Sequence, residues 1–359
     1  MLHPGVVVWP VVLALGERLQ SPGRDLLAAA AAGYETMIRI GLSVQPTHFR
    51  RGFQSTATCG VFGAAAAAAR LLDLGPERTR DALGLAASYP GGLTQFFVSG
   101  SEVKRIHAGK ASACGMEAAL LAQAGISGPH DAIEGSQGFA RAYADAFDPT
   151  VIERGLGTEF HMLRLQMKPH AASARVLAAI EAAEALVADG LAIERIAGIE
   201  IGVPSVIVGR LTNNEPRDLQ QTQMSSPFAV AMMLVLGQER PKPVIFGIEE
   251  FETALKRPDI RALSAKIRCV VDDEIERRTT QEYVPARVSI TLDDGRRFEE
   301  AVFQPIGCPD RPMEVEDLSA RFKANAGDRI GRETLDVWMD LVEHLHERGS
   351  ARDLMSLRL

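Results

Sequence analysis

From residue 4 to about residue 163, apolar positions recur at helical spacing, and Ala and Leu dominate blocks that Gly and Pro separate. The spacing predicts helices over 21–40, 56–74, 76–88 and 109–125, and no strand signature stands among them. Pro76 suits a first helical turn, where its missing N–H costs nothing. Faces made of Ala and Gly let helix axes approach at the short end of the usual range of about 8–10 Å, so these segments suit a compact bundle. Past residue 164 the pattern changes. A helix is predicted over 170–188, a strand region over the β-branched run 193–208, and a β-hairpin over 283–306. The hairpin turns at Asp293-Asp294-Gly295, where Gly supplies the positive φ. Helical spacing returns over 316–346 through Leu335, Trp338, Met339, Leu341 and Leu345, a segment suited to packing back on the first part. No internal repeat or low-complexity linker separates the halves.

A chain of 359 residues exceeds what one core supports, since cores stop growing at roughly 250–300 residues, so two domains are expected. A formal charge of -7 gives no general attraction to nucleic acid or to an anionic membrane surface. Cys59, Cys114, Cys269 and Cys308 lie far apart without metal or redox spacing and read as reduced structural thiols. The apolar run 6–15 has no preceding Lys or Arg, is interrupted by Pro10, and meets no cleavage site, so it does not read as a secretion signal. No run reaches the roughly 18–20 apolar residues of a membrane span. The expectation is a soluble, cytoplasmic protein.

Three segments set His, Lys and Arg beside Gly or Pro, as a site for a small polycarboxylate requires. His3-Pro4-Gly5 precedes a helix, and the residue before Pro is pushed into an extended conformation that can aim its side chain into a cleft; a loose tail is the alternative. Lys104-Arg105-Ile106-His107-Ala108-Gly109-Lys110 places four cations at or ahead of the start of helix 109–125, where a helix N-terminus favours an anion; a solvated basic turn is the alternative. Lys168-Pro169-His170 opens helix 170–188 at the domain junction, or forms a surface turn. Arg51-Gly52-Phe53-Gln54 precedes the Ala-rich helix, with Ser55 or Thr56 as its cap. His48, His130, His161, His344 and His346 read as solvated, and no metal motif is present.

The order of these segments resembles the MmgE/PrpD family, which includes 2-methylcitrate dehydratase, cis-aconitate decarboxylase and iminodisuccinate epimerase. The resemblance is carried by His3-Pro4-Gly5 with Pro10, by Arg51-Gly52-Phe53 with Thr56 and Gly60, by Lys104-Arg105-x-His107-x-Gly109, and by Lys168-Pro169, with Gly307, Pro312 and Phe322 fitting the closing segment. It implies a mainly α protein with an α+β second domain. A helical bundle would be built from residues 1–163 and 319–359, with an inserted α+β lid over 164–318 and a site between them. It further implies a homodimer, a small polycarboxylate substrate, and chemistry without metal or organic cofactor. His3, Lys104 and Lys168 would be catalytic. Arg51, Gln54, Arg105 and His107 would bind substrate, as would Lys110, His170 and Ser173.

The implied reaction removes a proton next to a carboxylate while cations hold the developing charge, and imidazole titrates in the range that step needs. A dehydratase-like lyase is the leading expectation. An epimerase of a related acid such as iminodisuccinate, or a catalytically degenerate binding or partner subunit, are the alternatives. They are raised by Gln54 where the family has His, by Ser173 where it has Cys or His, and by Phe228 where Tyr is common. Family members also carry a further segment, with an active-site Asp and Thr, before the residues that match His3-Pro4-Gly5. The chain is therefore expected to be an N-terminally shortened member whose exposed apolar helix faces favour association.

Overall fold

Six consecutive alanines at 64–69 give a helix no polar face, and such a helix is stable only when neighbours enclose it. The structure, a computed structural model, describes residues 2–99, 101–188, 191–240, 244–280, 282–326, 330–347 and 349–355. By contacts the chain divides into two units, Met1–Leu163 with Ile330–Leu359, and Arg164–Arg329. The first begins with α1 (Gly5–Leu19), α2 (Gly23–Val44), α3 (Thr47–Arg50), α4 (Ser55–Thr58) and α5 (Gly60–Leu71). It continues with α6 (Pro76–Ala86), α7 (Phe96–Ser99), α8 (Val103–Gln123), α9 (Phe139–Tyr143) and α10 (Thr150–Glu153). The second holds α11 (Leu177–Ala188), β1 (Ile196–Val203), α12 (Leu219–Gln223), α13 (Ser226–Glu239), α14 (Ile248–Leu255) and α15 (Pro258–Ala265). Then come β2 (Ile267–Val271), α16 (Asp273–Arg278), β3 (Ala286–Leu292), β4 (Arg297–Val302) and α17 (Val315–Ala326). Finally α18 (Arg332–Glu343) and α19 (Ala351–Met355) return to the first unit. The chain is thus mainly helical with one small sheet.

In the first unit α5 is central, with every residue from Gly60 to Ala69 buried. Small residues let its neighbours close on it. A Cβ on Gly63 would stand 2.7 Å from the Gly33 carbonyl oxygen of α2, and one on Gly115 of α8 would stand 2.4 Å from the Val61 oxygen and the Ala64 Cβ. The single helix predicted over 56–74 is two, because the chain bends at Cys59, and Gln54 rather than Ser55 or Thr56 is the cap: its Oε1 accepts from the Ala57 N–H at 2.8 Å. Helix α8 starts at Val103, so the basic segment lies inside its first two turns and not ahead of a start at 109. Arg39 of α2 is 3% exposed and donates to Glu35 at 3.0 Å and to the carbonyls of Ile152, Arg154 and Glu159 at 3.1, 2.7 and 2.7 Å. Glu35 in turn accepts from the Met162 N–H at 2.7 Å, so this pair fastens residues 150–162 to α2. Leu345, Ala351 and Leu354 pack with Val8, Val12 and Leu26, and the Ala351 N–H donates to the Ser21 carbonyl at 2.8 Å.

In the second unit the sheet order is β2-β1-β3-β4, with β1 and β2 parallel and the other pairs antiparallel. The β3–β4 hairpin turns as predicted, with Gly295 at φ 83°. Helices α11 and α13 share its core, and α13 is buried from Ser226 through Gly237. Two expectations are corrected here. The helix predicted over 170–188 begins only at a short 3₁₀ turn, Ala174–Val176, that leads into α11. Residues 170–173 are diverted because the Ala171 N–H donates to the Phe246 carbonyl at 2.7 Å and the Ser173 N–H to the Gln223 carbonyl at 2.8 Å. The boundary drawn at 318/319 also moves: α17 lies wholly in this unit, where Arg321 donates to the Phe246 carbonyl at 3.3 Å.

Candidate functional site

The candidate residues of the first unit gather around the short helix α4. His3 sits just before α1, and its Nδ1 is 2.7 Å from the Thr56 hydroxyl of α4. Residues 51–54 run beside residues 92–94: the Gln54 N–H donates to the Gly92 carbonyl at 3.0 Å, the Thr94 N–H to the Gly52 carbonyl at 2.8 Å, and Phe53 bridges to Leu93. Gly92 has φ 130°, and a Cβ there would stand 2.7 Å from the Ala57 Cβ and 3.4 Å from the His107 ring. This turn therefore connects α4 to the basic start of α8.

On α8, Lys104 and His107 are three residues apart and share a face. Lys104 is half-buried, burial holds its ammonium below the usual lysine range, and it has no acidic partner among the described residues. His107 lies edge-on to Phe96 with ring centroids 5.9 Å apart. Burial lowers its pKa, and its Nδ1 is buried with no hydrogen-bond partner among the described residues. Arg105 and Lys110 are exposed, and Arg105 is 3.4 Å from Glu102. Arg51 is exposed, 3.6 Å from Asp145, with its guanidinium over Phe53. Gln54 is buried, and its amide oxygen is committed to capping α4.

In the second unit Lys168 donates to the Ala172 carbonyl at 3.0 Å. Ser173 is half-buried, and its hydroxyl accepts from the Arg175 N–H at 3.3 Å. His170 is 5% exposed, and its Nδ1 accepts from the Phe246 N–H at 3.2 Å, which puts the proton of the neutral ring on Nε2. Burial, followed by the charge of Arg321, pushes its pKa down to about 3. A cavity of about 80 Å³ beside it is lined mainly by apolar side chains, among them Leu177, Val244 and Met313, with Glu184, Asp317 and Glu181, the last paired with Arg311. His170 is thus a fastening for residues 170–171. Gly307 positions the preceding stretch: its carbonyl accepts from the Met167 N–H at 2.8 Å, its φ is 86°, and a Cβ would stand 1.9 Å from the Met167 oxygen. Gly307→Ala is expected to cost about 2–3 kcal/mol, combining left-handed strain with displacement of the backbone ahead of Lys168. Urea unfolding checks this, and a loss below about 0.5 kcal/mol would mean that the turn yields freely.

The sequence pattern missed two residues. Thr56 was readable as a cap but not as the partner of His3. His48, expected to be solvated, is fully buried. Gln45 donates to the Ser55 hydroxyl at 2.7 Å, Ser55 lies 3.3 Å from His48 Nδ1, and His48 Nε2 lies 2.8 Å from the Thr58 hydroxyl. This order makes Nδ1 the acceptor and Nε2–H the donor. Phe53, Phe139 and Tyr143 surround the ring, and burial foremost pushes its pKa down to about 4. The other histidines of that group fit the expectation better, with His130 and His346 exposed and His161 and His344 partly so.

These two buried rings make the fold acid-sensitive. Each binds a proton less readily when folded than the ordinary value of 6.5 allows, so stability is complete above about pH 6.5 and falls as pH drops toward about 4 for His48 and about 3 for His170. Lowering the pH from 7 to 5 is expected to remove about 2 kcal/mol for each. Urea midpoints should decline over that interval, and His170→Asn, whose amide oxygen can still accept from Phe246, should flatten the slope. An unchanged slope would assign the acid sensitivity elsewhere.

Residues 1–152 match the description MmgE/PrpD N-terminal domain, and residues 170–347 match MmgE/PrpD C-terminal domain. The chain belongs to the MmgE/PrpD family. Among curated proteins it is similar to the cis-aconitate decarboxylase of Homo sapiens, 27% identical over 365 residues that cover 96% of this chain and 72% of that protein. It is also similar to the cis-aconitate decarboxylase of Aspergillus terreus, 26% identical over 378 residues covering 99% and 76%. The cis-aconitate decarboxylase-like protein oryM of Aspergillus oryzae is 28% identical over 382 residues covering 99% and 77%. These relatives are lyases by name. Among the described residues, no helix is long and apolar enough to cross a membrane.

Proposed function

We propose that this chain is a lyase for a small di- or tricarboxylate, in which His3 exchanges a proton at carbon while Lys104 holds the negative charge of the substrate. The observation that carries this reading is the pairing of Lys104 with His107 on one face of α8. A half-buried ammonium without an acid beside it is stabilised by an anionic ligand, and the unpartnered His107 Nδ1 one turn away offers that ligand a further hydrogen bond. His3, oriented by Thr56, supplies the titrating group.

In a decarboxylation, the bond to the departing carboxylate breaks, its electron pair moves into the remaining unsaturated acid, CO₂ leaves, and imidazolium returns a proton to carbon. In a dehydration, the imidazole takes the proton from carbon, the freed electron pair forms the double bond as the C–O bond breaks, and the imidazolium gives that proton to the departing hydroxyl, which leaves as water. Both steps build charge that a nearby cation stabilises. The names of the similar proteins make cis-aconitate the first acid to test, followed by hydroxylated tricarboxylates. Gln54 and Phe228 favour one second reading, epimerisation, because the amide and the phenyl ring cannot exchange protons near neutral pH and an epimerase needs fewer such groups.

Incubation of the full chain with these acids in D₂O, followed by proton and carbon NMR, separates the readings. Loss of CO₂ with deuterium placed on carbon, or loss of water, is the expected result. Deuterium exchange with neither loss assigns the epimerase. No change in any acid ends the proposal. The homodimer expected from the resemblance belongs to the same proposal, and sedimentation of the full chain measures it.

A further inference from the structure

We propose that Arg175 and Arg210 form a binding subsite in the second unit, beside the first turn of α13, for a carboxylate of a small di- or tricarboxylate; the choice of that ligand rests on the lyase reading above. The segments that carry the two arginines are both tied to the same turn. The Ser173 N–H donates to the Gln223 carbonyl at 2.8 Å, and the Ser226 N–H donates to the Leu211 carbonyl at 2.8 Å. Arg175 thus stands two residues beyond one fastening and Arg210 one residue before the other. Arg210 follows Gly209, whose φ of 73° turns the loop after β1.

The charge of the pair is unanswered among the described residues. Elsewhere in this unit Arg287 meets Asp272, Glu274 and Glu299, and Arg195 meets Asp293 and Asp294. Among the described residues, neither guanidinium of Arg175 and Arg210 has a hydrogen bond or an acidic partner. Arg175 is half-buried and Arg210 exposed, and burial followed by the positive charge of Arg210 lowers the pKa of Arg175. Two cations on segments tied to one turn repel each other, and an anion taken up between them removes that repulsion.

The adjoining turn adds donors. Ser225 caps the 14-residue helix α13 by accepting from the Phe228 N–H, and the positive end of its dipole lies there. Ser226, the next residue, is 1% exposed, and its hydroxyl has no hydrogen-bond partner among the described residues. Planar guanidinium forks match a carboxylate in two-bond geometry, and phosphate shares that chemistry.

The test is calorimetric titration of the full chain with propane-1,2,3-tricarboxylate and, separately, with inorganic phosphate. Arg175→Gln and Arg210→Gln are each expected to weaken tricarboxylate binding by at least about tenfold, and Arg175→Lys, which keeps the charge, by less than about fivefold. Arg268→Gln, on the exposed pair with Glu200, is expected to leave it unchanged. Circular dichroism confirms that each variant is folded. Binding of neither anion by the unaltered chain, or wild-type affinity in both Gln variants, overturns the subsite. Arginine-dependent binding of phosphate alone overturns its assignment to a carboxylate. Conversion of an acid with unchanged KM in both Gln variants also overturns the subsite while the lyase reading stands. Arginine-dependent tricarboxylate binding without turnover of any acid supports the subsite and ends the lyase reading.

Discussion

Replacing His3 with Ala is expected to lower turnover of the acid that this chain converts by about 10²–10⁴-fold, the usual contribution of a general acid or base. The ring has a defined orientation to lose. Its Nδ1 is 2.7 Å from the Thr56 hydroxyl, and the following Pro4 and α1 fix the backbone that presents it. Thr56→Val keeps the shape of the side chain and removes the hydrogen bond, so it should lower kcat by roughly tenfold with a smaller change in KM. Steady-state rates beside melting temperatures make the comparison. If His3→Ala stays within threefold of the parent while remaining folded, the proton passes through another group.

The largest effect on stability is expected at Arg39. Its guanidinium answers the Glu35 carboxylate and three carbonyls of residues 150–159 in a site almost closed to water. Arg39→Leu would leave a largely enclosed carboxylate and those carbonyls without their donor, at a cost of about 3–5 kcal/mol. Arg39→Lys keeps the charge, but one ammonium cannot span acceptors spread around a planar fork, so about half the loss should persist. Urea unfolding followed by circular dichroism measures both. A cost under 1 kcal/mol for the leucine variant would show that residues 150–162 do not depend on this fastening.

What was readable in the sequence depended on how local the cause was. The β3–β4 hairpin was legible because Asp293-Asp294-Gly295 forms its own turn, and the buried α5 was legible because an alanine run has no other stable use. The starts of α8 and α11 were not. Helix α8 runs through Gly109, which reads as a breaker, because its flanking residues are good helix formers and a Cβ at that position would meet nothing. Helix α11 starts late because Phe246 and Gln223, 50 or more residues away, compete for the backbone of residues 170–173. Distance also hid the character of His48: its enclosing rings include Phe139 and Tyr143, roughly 90 residues later, and no periodicity around position 48 announces them. In the site, residue types announced cationic chemistry at Lys104, His107 and Lys168. They did not distinguish the half-buried Lys104 from the exposed Arg105 beside it, or foresee that Gln54 and His170 hold backbone.

The seam formed by Leu345, Ala351 and Leu354 against Val8, Val12 and Leu26 bears on how the molecule is made. Ribosomes add about 5–20 residues per second, so the earliest helices emerge long before the segment that covers them. Residues 164–329 form a continuous stretch and can close while translation proceeds, whereas the first unit must wait for residues 345–354. Throughout that interval a nascent chain presents the side of this cluster that Leu345, Ala351 and Leu354 will cover, a surface that holdase chaperones would recognise and that crowded polysomes would bring into contact.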